Sequence, residues 1–455
     1  MKKIFFPLLY AFLLPVFCNA QSWIPQGQGI LPYSFGIVDL SAVDENIVWA
    51  LASNIEEINA DSALVIRSTN GGADWEVHTL KQLTNQTFVS LAAVNDSTAW
   101  LTAYSSQGIS YFYQTTDGGA NWSLKYTVPG NFTAQFAPVL KFSDEKTGHY
   151  VGIWPGKSGK TINGGTTWSA HSIPNFFNDE YWGVACPQNW LEVLGDTLWF
   201  GTSKRIFRST NGGQSWQSVV PDFPGNNQIT SVTFDHSGNG LAIADNDLDL
   251  PGIPFLDHTI LWKSEDFGAT WTLMPVVDMP LTSMRKVPEL EKTFVAVSGL
   301  WGWHESAIQH SWASAYTTDG GITWHEIDRG IPYNGVDFVS SETGWAGTVG
   351  NYDYGPDKPA LFKWNGQFTT SVSNLNQMPP VSISPNPASD FIAVQLPEPI
   401  FQPMDISIFD SQGKLINRAF LTGGQLVDVR DLTPGIYAVK VLAGERAYAG
   451  RFVKG

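Results

Sequence analysis

Ser68-Thr69-Asn70-Gly71-Gly72-Ala73-Asp74-Trp75 obeys a pattern, Ser/Thr-x-Asp/Asn-x-Gly-x-x-Trp, that the chain repeats five more times. The other copies are Thr115-Thr116-Asp117-Gly118-Gly119-Ala120-Asn121-Trp122, Thr161-Ile162-Asn163-Gly164-Gly165-Thr166-Thr167-Trp168, Ser209-Thr210-Asn211-Gly212-Gly213-Gln214-Ser215-Trp216, Ser264-Glu265-Asp266-Phe267-Gly268-Ala269-Thr270-Trp271 and Thr317-Thr318-Asp319-Gly320-Gly321-Ile322-Thr323-Trp324. Each position has a physical job. The Asp or Asn oxygen folds back onto N–H groups of the turn, Gly takes the positive φ that a tight hairpin demands, and Trp is a large wedge between sheets. A period of about 50 residues with strand-like flanks means a propeller or a similar array.

The copies resemble the Asp-box, or BNR, repeat of sialidases, xyloglucan-active glycosidases, sortilin-type receptors and the photosystem II assembly and stability factor family. The resemblance implies a β-propeller in which each box joins the third and fourth strands of a blade, on the face away from the ligand. Asn70, Asp117, Asn163, Asn211, Asp266 and Asp319 are therefore expected to be structural, and Asn for Asp keeps the acceptor while dropping the charge. Paired apolar segments precede each box, and a further pair, Val336 to Gly350, precedes a degenerate box at Phe362-Lys363-Trp364-Asn365-Gly366. The expected fold is all-β, a seven-bladed β-propeller with Asp-box hairpins plus a small C-terminal β-sandwich. Ser22-Trp23-Ile24-Pro25 resembles the outer strand that starts at each box Trp, so it is expected to close the last blade, a place Gln367 to Val372 would also fit.

Composition agrees. The 455 residues are 43% hydrophobic, 13% aromatic and 15% charged, with 43 Gly and 27 Pro, which excludes disorder and collagen-like repeats. Net charge is −16; residues 1–20 contribute +2 and residues 381–455 balance seven acidic against seven basic groups, which leaves −18 on residues 21–380. No Lys/Arg run offsets it, so nucleic acid and anionic lipid are not expected partners. Lys2 and Lys3, the apolar run Ile4 to Phe17, and Cys18-Asn19-Ala20 read as a cleaved secretory signal, residues 1–20. Phe17 before Cys18 argues against lipidation. A second apolar stretch long enough to span a bilayer is absent from the sequence. Only Cys186 survives cleavage, which leaves no internal disulfide.

Past residue 380 the pattern changes to short alternating strands. Ser384-Pro385-Asn386-Pro387-Ala388, Phe409-Asp410-Ser411-Gln412-Gly413, Leu432-Thr433-Pro434-Gly435-Ile436-Tyr437 and the basic end Arg451-Phe452-Val453-Lys454 resemble the type A sorting domain of the type IX secretion system. That implies a Bacteroidota-type cell, passage through the outer membrane by this domain, and a secreted or cell-surface product. The expected organisation is a signal at 1–20, a propeller at 21–372, a linker at 373–380 and the sorting domain at 381–455.

Box tryptophans are spaced by 47, 46, 48, 55 and 53 residues, so blades five and six carry insertions between their second and third strands. These are Asp245 to His258 and Leu300 to Trp312; Tyr352 to Asp357 in blade seven and Asn178 to Trp182 before blade four join them on the face opposite the boxes. Trp182, Trp301, Trp303, His304, Trp312, Tyr352 and Tyr354 are the candidate ligand-binding residues, since aromatic rings beside carboxylates stack on neutral sugars. The Asp245, Asp247, Asp249 alternation lacks the Gly and late Glu of a calcium loop, and His304, Glu305 and His310 lack zincin spacing, so no metal and no cofactor are expected.

Glycosidase chemistry needs two carboxyl groups about 5 to 10 Å apart. Glu180, Asp245, Asp247 and Glu305 are the candidates for it. A sialidase would need an arginine triad, and residues 21–380 contain only Arg67, Arg205, Arg208, Arg285 and Arg329. Two functions stay open: a non-catalytic surface propeller binding glycan or protein, exported through residues 381–455, and a hydrolase of neutral β-glucans.

Overall fold

The computed structural model describes residues 22–32, 34–54, 63–81, 83, 85–128, 138–152, 156–173, 189–219, 228–245, 258–299, 312–348, 359–368, 380–397, 404–409, 415–421, 426–430, 432–443 and 446–455. The chain divides into two compact units, Met1–Gln367 and Phe368–Gly455. The break falls just before the stretch that the sequence assigns to the end of the propeller.

Among the described residues, the first unit forms seven four-stranded antiparallel sheets. Their innermost strands are Phe35–Ala42, Gln86–Ala93, Val139–Phe142, Leu191–Leu194, Gln228–Phe234, Ser283–Lys286 and Tyr333–Phe338. Six blades take consecutive strands, whereas blade seven takes its outermost strand, Ser22–Gln28, from the other end of the chain. Trp23 stands opposite Trp364 and Pro25 opposite Phe362 in that pairing, so the N-terminal segment fills the place that Gln367 to Val372 would have competed for.

Burial falls from the axis outward, as stacked sheets require. In blade one Phe35–Ala42 is buried but for its last two residues, and Glu76–Thr79 is mostly exposed. The hydrophobic core lies between blades. Val38, Trp49 and Leu51 of blade one pack with Leu91, Leu101 and Trp122 of blade two.

The boxes behave as the sequence predicts. In each, the leading Ser or Thr hydroxyl accepts the N–H of the second Gly, as from Gly72 to Ser68 at 2.8 Å and from Gly165 to Thr161 at 2.9 Å. The Asp or Asn oxygen accepts the N–H four residues on, at 2.9 Å from Asn121 to Asp117 and at 3.0 Å from Thr167 to Asn163. Asn serves as well as Asp because only an acceptor is needed. The first Gly N–H ties the box to the hairpin between the first and second strands, as from Gly71 to Asn46 O at 2.9 Å. Both hairpins therefore share one face.

The second Gly has a further reason to be Gly. At Gly165 φ is +80°, and a Cβ would lie 2.3 Å from the Trp100 ring of the preceding blade. A Cβ at Gly72 would lie 2.7 Å from Trp345, and one at Gly119 would sit less tightly, 3.3 Å from Trp49. The box Trp completes the wedge, with Trp168 edge-on to Trp100 at 6.2 Å and Trp75 edge-on to Trp345 at 5.9 Å.

In the second unit one sheet pairs Ser382–Ser384, Phe391–Gln395 and Val427–Asp428. The other pairs Met404–Phe409, Leu415–Leu421, Gly435–Ala443 and Arg446–Lys454. Ile392, Ile406, Ile408, Val439, Val441 and Phe452 form the core, as expected of a small β-sandwich.

Candidate functional site

An innermost strand leaves one edge unpaired, and its buried N–H groups need acceptors. This chain supplies them with side chains from the neighbouring blade. Leu91 N–H donates to Asp39 Oδ2 at 2.6 Å, Ala93 N–H to Ser41 at 3.1 Å, Met284 N–H to Ser231 at 3.1 Å and Lys286 N–H to Thr233 at 3.1 Å. Ala42 N–H closes the ring by donating to Asp337 Oδ2 at 3.1 Å.

One register position in each blade forms a ring around the channel. Ser41, Ala92, Lys141, Glu192, Thr233, Arg285 and Asp337 stand opposite Trp49, Trp100, His149, Trp199, Leu241, Val295 and Trp345 of the second strands. Six of them, Ser41, Ala92, Lys141, Glu192, Arg285 and Asp337, line a cavity of about 230 Å³ together with Asp39 and Lys286. Its rim, at Ala42, Ala93 and Phe142, is half-buried and lies toward the box face. Toward the other face, side-chain amides link the inner strands. The Asn189 amide of blade four reaches across to Ser283 Oγ and to Val336 O, the latter at 3.4 Å, and Asn334 donates to Ile37 O at 2.8 Å.

The electrostatics follow from burial and pairing. Glu192, 3% exposed, is flanked by Arg285 at 3.0 Å and Lys286 at 3.2 Å. Burial works against its charge, but the two cations outweigh it and hold the carboxyl below its usual range. Asp39 is pushed up to about 7 by burial, against the pull of N–H donation from Leu91 and Leu40. Lys141 is brought down to about 7, first by burial and then by the Arg285 guanidinium. Behind Lys141, His149 is fully buried where four other blades place Trp and two place Leu or Val; burial, then Lys160, lowers it to about 4.

Of the residues singled out from sequence, Asn70, Asp117, Asn163, Asn211, Asp266 and Asp319 sit in box turns, away from the channel ring. Glu180, Trp182, Asp247, Trp301, Trp303, His304, Glu305, Tyr352 and Tyr354 lie outside the described residues. Asp245 ends the second strand of blade five, and Trp312, half-buried, immediately precedes the third strand of blade six. Both positions are at the ends of the blades opposite the boxes. The channel ring was not anticipated. Aligning the seven inner strands on their boxes and reading down one column would have revealed it.

Residues 382–455 match the family described as secretion system C-terminal sorting domain, and residues 315–326 match the BNR/Asp-box repeat. No curated protein matches the chain. Among solved structures it is similar to YCF48 from Cyanidioschyzon merolae, at 16% identity and a TM-score of 0.50 over 75% of this chain and 99% of that one. It is also similar to the GH74 xyloglucanase from Xanthomonas campestris, at 10% identity and a TM-score of 0.47 over 94% of this chain and 67% of that one. A Hadza microbial sialidase follows at 12% identity and a TM-score of 0.40, over 73% and 65% of the two chains. At 16% identity the likeness to YCF48 shows the fold alone, and activity does not transfer with it. The chain is an Asp-box β-propeller followed by a secretion-system C-terminal sorting domain.

Proposed function

We propose that this is an exported or cell-surface propeller that binds a glycan or a surface protein without catalysis, on the face opposite the Asp-boxes. A signal peptide at 1–20 and the type IX route would deliver it from a Bacteroidota-type cell. The sorting domain match supports the export. The non-catalytic part rests on one observation, that the carboxylates of the described cavity are already engaged. Glu192 is paired with two cations, Asp337 accepts from Ala42 N–H, and Asp39 accepts from Leu91 and Leu40 N–H through its two oxygens. A glycosidase pair must flank a cleft that admits a sugar chain. About 230 Å³ is below the usual size of an organic-ligand pocket.

The Asn189 amide, which reaches from blade four to blades six and seven, favours a firm surface on the other face. Trp312 is one aromatic residue at its edge, and Trp182, Trp301, Trp303, His304, Tyr352 and Tyr354 are the residues assigned to the ligand. The test is retention of the mature chain on neutral polysaccharide gels and glycan arrays, with reducing-sugar release followed in the same samples. Retention that falls on substituting Trp301, Trp303 and Trp312 together, with no sugar released, is expected for a glycan ligand. For a protein ligand the same substitution weakens binding to the cell surface. Sugar release that depends on Glu180, Asp245, Asp247 or Glu305 overturns the non-catalytic assignment.

A further inference from the structure

We propose that the channel cavity is a binding site for a small oxyanion, held by the Lys141 ammonium and the backbone N–H groups of Phe142 and Val193. This site is on the box side of the channel, separate from the surface function above, and stands or falls independently of it.

The case is a count of donors and acceptors. Both oxygens of Glu192 are taken, Oε1 by Lys286 at 3.2 Å and Oε2 by Arg285 at 3.0 Å and Thr233 at 3.2 Å. Asp337 accepts from Ala42 and Phe338 N–H and lies 3.6 Å from the Arg285 Nε. Asp39 is held by Leu40 and Leu91. Lys141, half-buried, lines the same cavity, yet its ammonium makes no hydrogen bond or ion pair with a described residue. After burial, Arg285 from the far side of the ring acts against its charge, while Glu192, Asp337 and Asp39 favour it from a distance without bonding it. What is unspent in the cavity is therefore the set of ammonium donors of Lys141.

The backbone gives a second, independent observation. At one register position the inner-strand N–H donates to a side chain of the neighbouring blade, as Ala42 does to Asp337, Ala93 to Ser41 and Lys286 to Thr233. In blades three and four that position is Phe142 and Val193, and the ring residues before them in blade order are Ala92 and Lys141. Neither side chain has an acceptor. Two N–H groups and an ammonium thus line one side of a cavity large enough for phosphate or a short carboxylate, with access from the half-buried rim. An oxyanion there would satisfy all three and offset the Lys141–Arg285 repulsion.

The test titrates the mature full-length chain with sodium phosphate and, separately, sodium acetate at constant ionic strength, by calorimetry. One site is expected for at least one of the two ions, and the preferred ion tells a tetrahedral from a planar ligand. Lys141→Met should weaken it at least about tenfold, the loss of one charge-assisted contact in a partly buried site. Unchanged binding in the variant, or no binding of either ion to the wild type, overturns the proposal. A second measurement needs no variant. Phosphate at saturation should protect Lys141, but not the exposed Lys125, from acetic anhydride, as read by peptide mass spectrometry. Equal labelling of Lys141 with and without phosphate also overturns it.

Discussion

Closure of the ring by its first strand can be tested at Trp23. The side chain is 6% exposed, and its ring centroid lies 5.4 Å from Trp364, 5.8 Å from Tyr333 and 6.0 Å from Phe338. Its indole N–H also donates to Ser314 of blade six at 3.1 Å. Truncating such a residue to Ala costs about 4 kcal/mol, the middle of the range for buried aromatics. A propeller of about 340 residues unfolds with roughly 0.7 kcal/mol/K of entropy, so Trp23→Ala should lower its midpoint by about 6 °C in a calorimetric scan. Ile24, next along the strand and 43% exposed, is the control. Its replacement by Ala should cost within about 0.5 kcal/mol of nothing. If Trp23→Ala melts no lower than Ile24→Ala, or if deleting residues 21–26 leaves the propeller transition in place, the N-terminal strand does not close the ring.

Three further outcomes follow from the boxes and the channel. Gly165→Ala combines a left-handed backbone with a clash on Trp100, whereas Gly195→Ala at φ +59° meets nothing within 4 Å. The first should cost about 1–3 kcal/mol more than the second in urea unfolding, the overpacking part alone. Thr115→Val keeps the shape but leaves the Gly119 N–H, now bonded at 3.0 Å, without its acceptor. A loss of about 1–3 kcal/mol by the same assay is expected, and no loss would mean that water replaces the hydroxyl. Lys141, lowered from 10.5 to about 7, binds fewer protons folded than unfolded between those values, so its contribution to stability rises with pH across that interval and is flat below it. Wild type minus Lys141→Met should therefore gain up to about 1.4 kcal/mol per pH unit above pH 7, and a difference independent of pH would show that the amine is solvated.

The boxes were legible because their hydrogen bonds close within eight residues. Ser68, Asn70, Gly72 and Asp74 need only each other and one neighbouring hairpin. Closure was legible for a related reason, since Ser22-Trp23-Ile24-Pro25 repeats the form of an outer strand. The channel was not. Glu192 meets Arg285 and Lys286 across 93 and 94 residues of chain, and in sequence each is one charge in a short strand, indistinguishable from a solvated position. Only the register of seven separate sheets brings the charges to one level. The inserted segments around Trp182, Trp301 and Tyr352 have the opposite difficulty: they lie outside the repeat, so the periodicity that dictates the blades says nothing of their conformation.

The charged ring is best understood as a fastening first. Burying an ion pair seldom adds net stability, because desolvation offsets the attraction, but removing one partner leaves a buried charge that is costly. Glu192, on blade four, takes cations from blade six and a hydroxyl from blade five, so the group is complete only when three blades stand in the right order. Elsewhere neutral Ser and Thr do the same strapping at lower desolvation cost. Blade two, with Ala92, offers no acceptor, and blade three departs further. Its ring residue is a lysine that cannot accept the next N–H, and the position behind it holds His149 instead of an apolar ring or chain. A repeat that needed only to close would have no use for that exception, since Ser at position 141 would strap Val193 as Ser41 straps Ala93. The departure is therefore where an activity beyond ring closure is to be sought, and an ammonium with no bonded partner among the described residues suits the oxyanion proposed above.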